Sequence, residues 1–343
     1  SLGLVGSEMC IRDRSTRVRA SLLASRGWRP AEFVFWALAL GACVLFPREQ
    51  LILNEIAILA LFALSLDLIV GYAGIVSLGH AAFLGMGAYS AGLLAKHVTG
   101  DPLAGLAFAM ALSGLLGLIT SPLVLKGSDL TRLMVTLGVA LILYEVANSW
   151  ASLTGGADGL QGVVMQPVLG LFDFDIFGRT AYLYSLSVLF VLFLVARRIV
   201  HSPFGLSLRA IRDNALRASA SGVPPSWRLA AIYTIAAAYA GAAGALIAQT
   251  TQFVSLDVLD FHRSADLMLV LIIGGAGYLY GGIIGAIVFK FLQDWIAAFT
   301  PQYWMFWIGL LLVLFVLGGR EIIHGGIGAL LARLPGWMKG AGR

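Results

Sequence analysis

The chain has 343 residues, of which 59% are hydrophobic and 12% are charged, and its formal net charge is +5. A soluble protein carries about 25% charged residues, so this composition excludes a chain whose whole surface faces water. The basic residues cluster at the ends of apolar segments, which indicates orientation in a lipid bilayer and not nucleic-acid binding. The 41 glycines fit a packed helical bundle, because small residues let helix backbones approach closely.

Residues 1–14 (SLGLVGSEMCIRDR) show no structural period. We expect them to be a non-native leader, of the kind produced when a sequencing adapter is translated; the alternative is an ordinary disordered tail. Residues 15–30 are expected to form a cytoplasmic N-terminal segment. Residues 31–320 are expected to form one transmembrane domain, and residues 321–343 a C-terminal tail.

Nine apolar segments meet or approach the roughly 20 residues that a membrane-spanning helix needs. They are residues 33–47, 51–70, 78–94, 103–125, 130–150, 181–196, 229–248, 267–292 and 304–317. Half of the seventh segment is alanine, so we expect it to be buried against other helices. Glycines between Gly274 and Gly282 interrupt the eighth, which is therefore either one long helix or two short crossings that meet at the glycines.

Arg and Lys residues give the orientation and the number of crossings. They precede the first span, flank the fourth and fifth (Lys126, Arg132), and fill the segment from Arg197 to Arg228. The positive-inside rule places these regions in the cytoplasm, so the loop of residues 151–179 lies outside. Basic residues after the last span place the C-terminus inside too. The predicted fold class is all-α: a polytopic transmembrane helical bundle of about ten crossings, with broken, glycine-rich helices.

The sequence contains no motif for nucleotide hydrolysis, dinucleotide binding, metalloprotease chemistry or a nucleophile elbow. The two cysteines, Cys10 and Cys43, have no metal-ligand spacing. We therefore predict no catalytic residue, no metal site and no bound cofactor in this chain.

Residues 71–89 (GYAGIVSLGHAAFLGMGAY) form the first stretch that could carry function. Glycines beside Ser77 and His80 at membrane depth mark a place where a helix can break beside a water-filled path. Close packing of small residues is the alternative, and His80 fits a hydrogen-bonded bundle residue better than a ligand. With the later glycine-rich break, the candidate pathway residues are Asp67, Gly74, Ser77, His80, Gly274, Gly275 and Gly277.

Three carboxylates lie inside predicted spans: Glu55, Asp67 and Glu145. Ionisable groups at membrane depth are costly and tend to mark transport pathways. Glu55 lies within about a turn of the outer end of its span. We expect Asp67 to lie near the cytoplasmic end of its span, where water can reach it. An ion-coupled transporter would use one of these three groups.

Residues 201–225 (HSPFGLSLRAIRDNALRASASGVPP) predict a short amphipathic helix in the cytoplasm. Ser202 and Pro203 suit a helix start, and Gly222 with the following prolines ends the segment. Leu208 and Ile211 fall on one face of this helix. Such a helix either lies on anionic lipid headgroups or inserts into a groove of a partner protein, and its residues leave both possibilities open.

Five stretches together resemble the LivM-type permeases of branched-chain amino acid ABC importers, in the family of binding-protein-dependent transport system inner-membrane components. They are residues 71–89, LTGGADGLQGV (153–163), SPFGLSLRAIRDN (202–214), LAAIYTIAAAYAGAAGALIA (229–248) and IIGGAGYLYGGIIGA (272–286). Each stretch is weak evidence alone, whereas five in this order are specific. The resemblance covers about residues 51 to 317.

The resemblance implies a multi-pass protein of the bacterial inner membrane that translocates branched-chain or other hydrophobic amino acids. It implies four partners: a second permease subunit (LivH type), two ATPase subunits that bind the ATP, and a periplasmic substrate-binding protein. Residues 31–320 would then be a permease domain without catalysis of its own. The alternatives are an ABC permease for urea or short amides, an ion-coupled secondary transporter and, least consistent with the residues, a membrane-embedded enzyme.

The resemblance also implies roles for individual residues. Residues 201–225 would be the coupling segment that docks on an ATPase subunit, with an apolar face of Phe204, Leu208 and Ile211 buried at that contact. The coupling residues would be Phe204, Leu208, Arg209, Ile211, Arg212 and Gly222. The outer loop would lie near the docked binding protein, through Thr154, Gly155, Gly156 and Asp158.

Three departures from the family pattern bear on the substrate and on the ATPase contact. Asp67 stands where the family usually has asparagine, and Ile75 where glutamine is common. The coupling segment also lacks the glutamate expected near Ala215. These changes leave the architecture unaffected, but they leave the substrate and the chemistry of the ATPase contact open.

Overall fold

The computed structural model describes residues 30–168, 170–175, 177–310 and 313. Among these residues the regular structure is helical, with two isolated β-bridges and no longer strand. The predicted all-α bundle is confirmed. The predicted leader (1–14), nearly all of the N-terminal segment (15–30) and the C-terminal tail (321–343) lie outside the described residues. The described residues up to Ile287 and the described residues from Val288 onward form two compact units.

Twelve α-helices follow one another along the described chain. They are α1 (Pro30–Leu45), α2 (Gln50–Ala73), α3 (Ala81–His97), α4 (Pro102–Leu125), α5 (Asp129–Ser149), α6 (Ala151–Thr154), α7 (Arg179–Val200), α8 (Pro203–Asp213), α9 (Ala215–Ala220), α10 (Pro225–Thr251), α11 (Phe261–Gly274) and α12 (Leu279–Phe299). Two 3₁₀ turns, Gly156–Asp158 and Leu256–Leu259, lie in the loops. In the second unit, residues 304–310 are also helical.

Within the described residues, six helices are long and apolar enough to cross a membrane: α2, α4, α5, α7, α10 and α12. Three other predicted crossings fall on the shorter helices α1, α3 and α11, of 16, 17 and 14 residues. The last, residues 304–317, extends beyond the described part. The number of ten crossings therefore remains a prediction. The predicted eighth span is two helices, α11 and α12, separated by residues 275–278.

The alanine-rich helix α10 lies at the centre of the first unit, as its composition predicted. It packs against α2, α3 and α4, and most of its alanines are fully buried. The packing brings backbones together: a Cβ added to Gly244 would lie 2.8 Å from the Ala88 nitrogen and 2.9 Å from the Leu84 carbonyl carbon. The Ser113 hydroxyl of α4 also donates to the Phe83 carbonyl of α3 (3.1 Å). Small residues therefore let three helices meet around α10.

We expect Gly244→Ala to lower the thermal unfolding midpoint of the purified protein. A methyl group at this position overlaps backbone atoms of α3, which cannot rotate away, and overpacking of this kind costs about 1–3 kcal/mol. Gly138→Ala in α5 is the matched control, because its Cβ would meet nothing within 4 Å. Unfolding can be followed by tryptophan fluorescence in detergent. Equal midpoints for the two variants would contradict the close contact of α3 and α10.

The loops after α5 and after α10 meet at one end of the bundle. The Leu160 N–H donates to the Val254 carbonyl (2.7 Å), and the Val254 N–H donates to the Leu160 carbonyl (3.3 Å). Helices α8 and α9 precede the start of α10, so they lie at the opposite end of that helix. The two regions that the positive-inside rule assigns to opposite sides of the membrane thus lie at opposite ends of α10.

We expect a cysteine at position 158 to react with a membrane-impermeant maleimide in intact cells. A cysteine at position 217 should react only after the membrane is opened. Asp158 and Arg217 are both exposed on the surface of the protein, so a difference in labelling would come from the side of the membrane and not from burial. The background should lack Cys10 and Cys43. Labelling of position 217 but not position 158 in intact cells would reverse the assigned orientation.

Candidate cytoplasmic junction

The first predicted helix break is present between α2 and α3. Helix α2 ends at Ala73, the next residue Gly74 has a φ of 72°, and residues 74–80 are not helical. Side chains of other helices bind the released backbone groups: Thr136 Oγ1 accepts from the Leu78 N–H (3.3 Å), and Ser264 Oγ accepts from the Ala81 N–H (2.9 Å). A break at membrane depth is stable only where such partners exist, and here α5 and α11 supply them.

His80 has the surroundings of a packed bundle residue. Its ring is fully buried and stacks on Phe62 at 5.6 Å. The Ser65 hydroxyl oxygen lies 2.5 Å from the Phe62 carbonyl oxygen and 2.8 Å from His80 Nε2, so Ser65 and His80 share a hydrogen bond. His80 Nδ1 and the Ser77 hydroxyl are buried and have no hydrogen-bond partner among the described residues.

The second predicted break is the turn of a helical hairpin formed by α11 and α12. Gly275 and Gly277 have φ values of 86° and 88°, which other residues rarely adopt. The two helices meet through glycine: a Cβ on Gly274 would lie 2.6 Å from the Gly281 carbonyl carbon, and one on Gly285 3.1 Å from the Gly274 Cα. We refer to residues 275–278 as the hairpin tip.

Asp67 and Gly71 of α2 hold the hairpin tip. Asp67 Oδ1 accepts a hydrogen bond from the Gly277 N–H (2.7 Å). A Cβ on Gly71 would lie 2.8 Å from the Gly277 Cα and closer still to Asp67 Oδ1, so only glycine fits. Asp67 is fully buried, which corrects the expectation that water reaches it, and its Oδ2 has no hydrogen-bond partner among the described residues.

Helix α8, which the positive-inside rule places in the cytoplasm, contacts the same place. Arg212 Nη1 donates to the Gly71 carbonyl in the last turn of α2. Its side chain also covers Gly74, where a Cβ would lie 2.6 Å from Arg212 Cγ. Cations are favourable at the C-terminus of a helix, where the carbonyl dipoles point outward. We call Asp67, Gly71, Arg212 and Gly277 the junction, because they join α8 to both helix breaks.

The apolar face of α8 points into the bundle and not toward a partner. Leu208 is 0% exposed, Ile211 is also buried, and the helix packs against α2, α7 and α10. This corrects the expectation that both side chains form the ATPase contact. Phe204 is half-buried. The large hydrophobic side chains that remain exposed in this segment are Leu206 and Leu216, and Gly222 is exposed as well.

The outer loop is shaped by Thr154 and by glycines with positive φ. Thr154 is buried, and its hydroxyl donates to the Ala147 carbonyl (2.5 Å) and accepts from the Gly156 N–H (3.2 Å). Gly155 and Gly156 have φ values of 82° and 57°. Asp158 is exposed. Three of the four predicted loop residues therefore set the loop conformation, and Asp158 is the one whose side chain faces outward.

Several predicted or missed residues lie outside the junction. Glu55 and Glu145 are exposed, and Glu145 accepts a hydrogen bond from Ser149. Sequence reasoning missed Glu32, which pairs with Arg197 of α7 and accepts from the Tyr280 hydroxyl (3.2 Å). Partners so far apart along the chain leave no local signal. Among the described residues, no group of three or more potential metal ligands occurs.

Comparisons with known proteins concern the same region. The family described as "Branched-chain amino acid transport system / permease component" matches residues 50–316. The high-affinity branched-chain amino acid transport system permease proteins LivM of Salmonella typhimurium and Escherichia coli are each 29% identical to the chain over 283 residues. A probable branched-chain amino acid transport permease protein LivH of Methanocaldococcus jannaschii is 24% identical over 243 residues. No solved structure matches the chain.

The matches cover most of this chain but only part of the length of the LivM relatives. The LivM alignments span 75% of this chain and 65% of each relative, and the LivH alignment spans 67% of this chain and 74% of the relative. The family match covers well over half of the chain, and it includes the junction and both helix breaks. With its long apolar helices, this polypeptide is an integral membrane protein, and it belongs to the family of branched-chain amino acid transport system permease components.

Proposed function

We propose that the chain is a membrane-spanning permease subunit of an ABC importer in the bacterial inner membrane, and that it translocates branched-chain or other hydrophobic amino acids. Family membership supports the transport role, and the names of the relatives support the substrate class. Urea and short amides remain the alternative substrates. Among the described spans, Asp67 and His80 are the only buried side chains of the Asp, Glu, His, Lys and Arg types, so the interior suits an apolar side chain better than a charged one.

The proposal requires partners that supply substrate and energy. A periplasmic binding protein would deliver the amino acid near Asp158, a second permease subunit of LivH type would complete the pathway, and two ATPase subunits would bind ATP. Helix α5 is the least buried of the six long helices. Its exposed apolar side chains, which include Met134, Leu141 and Ile142, need lipid or a second permease subunit to cover them.

The observation that carries the proposal is the junction. Arg212 connects the cytoplasmic helix α8 to the last turn of α2, and Asp67, one turn earlier in α2, connects this helix to the hairpin tip. A displacement of α8 would therefore act on both helix breaks, because these hydrogen bonds join α8 to α2 and α2 to the hairpin tip. In an ABC importer this is the geometry needed to convert the motion of an ATPase into opening of a pathway.

The ATPase would then contact the exposed side of the α8–α9 segment. Leu216 of α9 is 83% exposed, and Leu206 of α8 is exposed on the same segment. Gly222, with a φ of 83°, ends the segment. We assign Leu206, Leu216 and Gly222 to the ATPase contact, and Leu208 and Ile211 to the attachment of α8 to its own bundle.

Reconstitution of the complete importer tests this function. Proteoliposomes would contain the permease, a second permease subunit, the two ATPases and the binding protein, and would be assayed for leucine uptake and ATP hydrolysis. We expect Arg212→Gln to reduce uptake at least about tenfold while ATP hydrolysis continues, since loss of a charge-assisted hydrogen bond costs about 1.5–3 kcal/mol.

Arg198→Gln is the matched control, because Arg198 is exposed at the same end of the bundle and belongs to no contact of the junction. It should transport normally. Normal uptake by Arg212→Gln would contradict the role of the junction. Uptake of urea but not of leucine by the wild-type complex would instead favour the alternative substrate.

A further inference from the structure

A cavity of about 490 Å³ lies beside the junction, at the end of the bundle that the positive-inside rule places in the cytoplasm. Its walls come from α1, α2, α7, α8 and the residues around the hairpin tip. The polar side chains that line it include Tyr72, Arg197, His201, Arg209, Arg212 and Tyr280. A volume of this size falls within the range of small-molecule sites, roughly 300–1,000 Å³.

The side chains that line the cavity carry a surplus of positive charge, because three arginines face the single carboxylate of Glu32; the buried Asp67 carboxylate near Arg212 does not line the cavity. Arg197 is paired with Glu32, so these two side chains cancel. Arg209 has its guanidinium 5.2 Å from the centre of the Tyr72 ring, and no carboxylate of a described residue forms an ion pair with it. Arg212 donates to the Gly71 carbonyl, and the Asp213 carboxylate is 3.6 Å from its Nε. That carboxylate is mostly exposed, so water screens it.

The arrangement of these donors suits one class of ligand. Arg209 and Arg212 are three residues apart on α8, so their side chains are neighbours on one face of the helix. Each guanidinium presents several N–H groups in a planar fork that matches phosphate oxygens. A phosphate group has at least three acceptor oxygens, so Arg209 and the N–H groups of Arg212 that do not bind Gly71 can each bind separate oxygens.

We propose that this cavity binds a phosphate group through Arg209 and Arg212. The phosphate belongs either to a soluble phosphate compound or to an anionic phospholipid headgroup, and both are present at the cytoplasmic face of a membrane. The bound phosphate would neutralise Arg209 and link α8 to the helices around the cavity. The proposal concerns binding alone, and it holds whether or not the chain transports amino acids.

Native mass spectrometry of the purified permease in mild detergent tests the site. One arm titrates inorganic phosphate into delipidated protein, and the other adds phosphatidylglycerol, with phosphatidylcholine as the uncharged reference. Saturable binding of one phosphate in the first arm assigns a soluble ligand. Binding of one phosphatidylglycerol, unaffected by free phosphate, assigns a lipid headgroup. Either result supports the proposal.

We expect Arg209→Gln to weaken the binding by about ten- to a hundredfold, because it removes one charge-assisted fork. Arg209→Lys, which keeps the charge but not the planar fork of N–H groups, should show an intermediate loss of phosphate affinity. This variant replaces Arg209→Gln in the test if the glutamine variant does not fold. Arg198→Gln, the exposed control, should bind as the wild type does. Absence of saturable binding, or equal losses in Arg198→Gln and Arg209→Gln, would overturn the proposal.

Discussion

Leu208→Asp is expected to prevent stable folding of the permease, whereas Leu216→Asp is expected to fold and to lose its ATPase subunit. Leu208 is 0% exposed, so Leu208→Asp loses the free energy of burying a leucine side chain and places an unpaired carboxylate where water cannot reach it. Each of these effects costs about 2–5 kcal/mol, and together they approach the whole stability of a typical domain. Leu216 is 83% exposed, so a carboxylate there stays in water and changes stability by about 0.5 kcal/mol or less.

Size-exclusion profiles in detergent and co-purification of the ATPase measure the two effects separately. Leu208→Asp should elute as aggregate. Leu216→Asp should elute as the wild type does and recover at least about tenfold less ATPase, because a charge buried in an interface costs several kcal/mol. Leu171→Asp, the same change at an outer-loop leucine that is 79% exposed, should recover ATPase normally. Wild-type recovery with Leu216→Asp would remove this residue from the proposed contact.

The contrast between Leu208 and Leu216 shows where sequence reasoning reaches its limit. The amphipathic pattern correctly predicted a short helix that begins at Ser202 and Pro203, since the capping residue and the periodicity are local signals. The pattern cannot say what covers the apolar face, because a bundle and a partner subunit offer the same environment. The sequence therefore predicted the helix but assigned its buried face to the wrong neighbour.

Both helix breaks could be predicted because each one lies at a cluster of glycines in the sequence. Gly74, Gly275 and Gly277 adopt positive φ, which L side chains rarely adopt, so a cluster of glycines inside an apolar segment is evidence of a break. Contact between the two breaks could not be predicted. Asp67 and Gly277 are 210 positions apart, and no periodicity links residues that meet only through the packing of separate helices.

Gly71→Ala is expected to reduce transport by about ten- to a hundredfold without dismantling the bundle. The new methyl would overlap Asp67 Oδ1 and the Gly277 backbone, so the hairpin tip must move away from α2. Overpacking costs about 1–3 kcal/mol, and each 1.4 kcal/mol is a factor of ten in the population of the intact junction. The measurement is leucine uptake by the reconstituted importer, with protein recovery as the check on folding. Gly138→Ala, whose methyl has open space, should transport normally.

Asp67→Asn separates this explanation from ion-coupled transport. The asparagine carbonyl oxygen can replace Oδ1 as the acceptor for the Gly277 N–H, so the hairpin tip should stay in place and uptake should stay within about twofold of the wild type. A secondary transporter that binds its coupling ion at Asp67 needs the carboxylate charge and would stop. Because Gly71→Ala keeps that charge and displaces the tip, the two mechanisms predict opposite orders of activity. Normal uptake by Gly71→Ala together with an inactive Asp67→Asn would therefore reject the junction and favour an ion site.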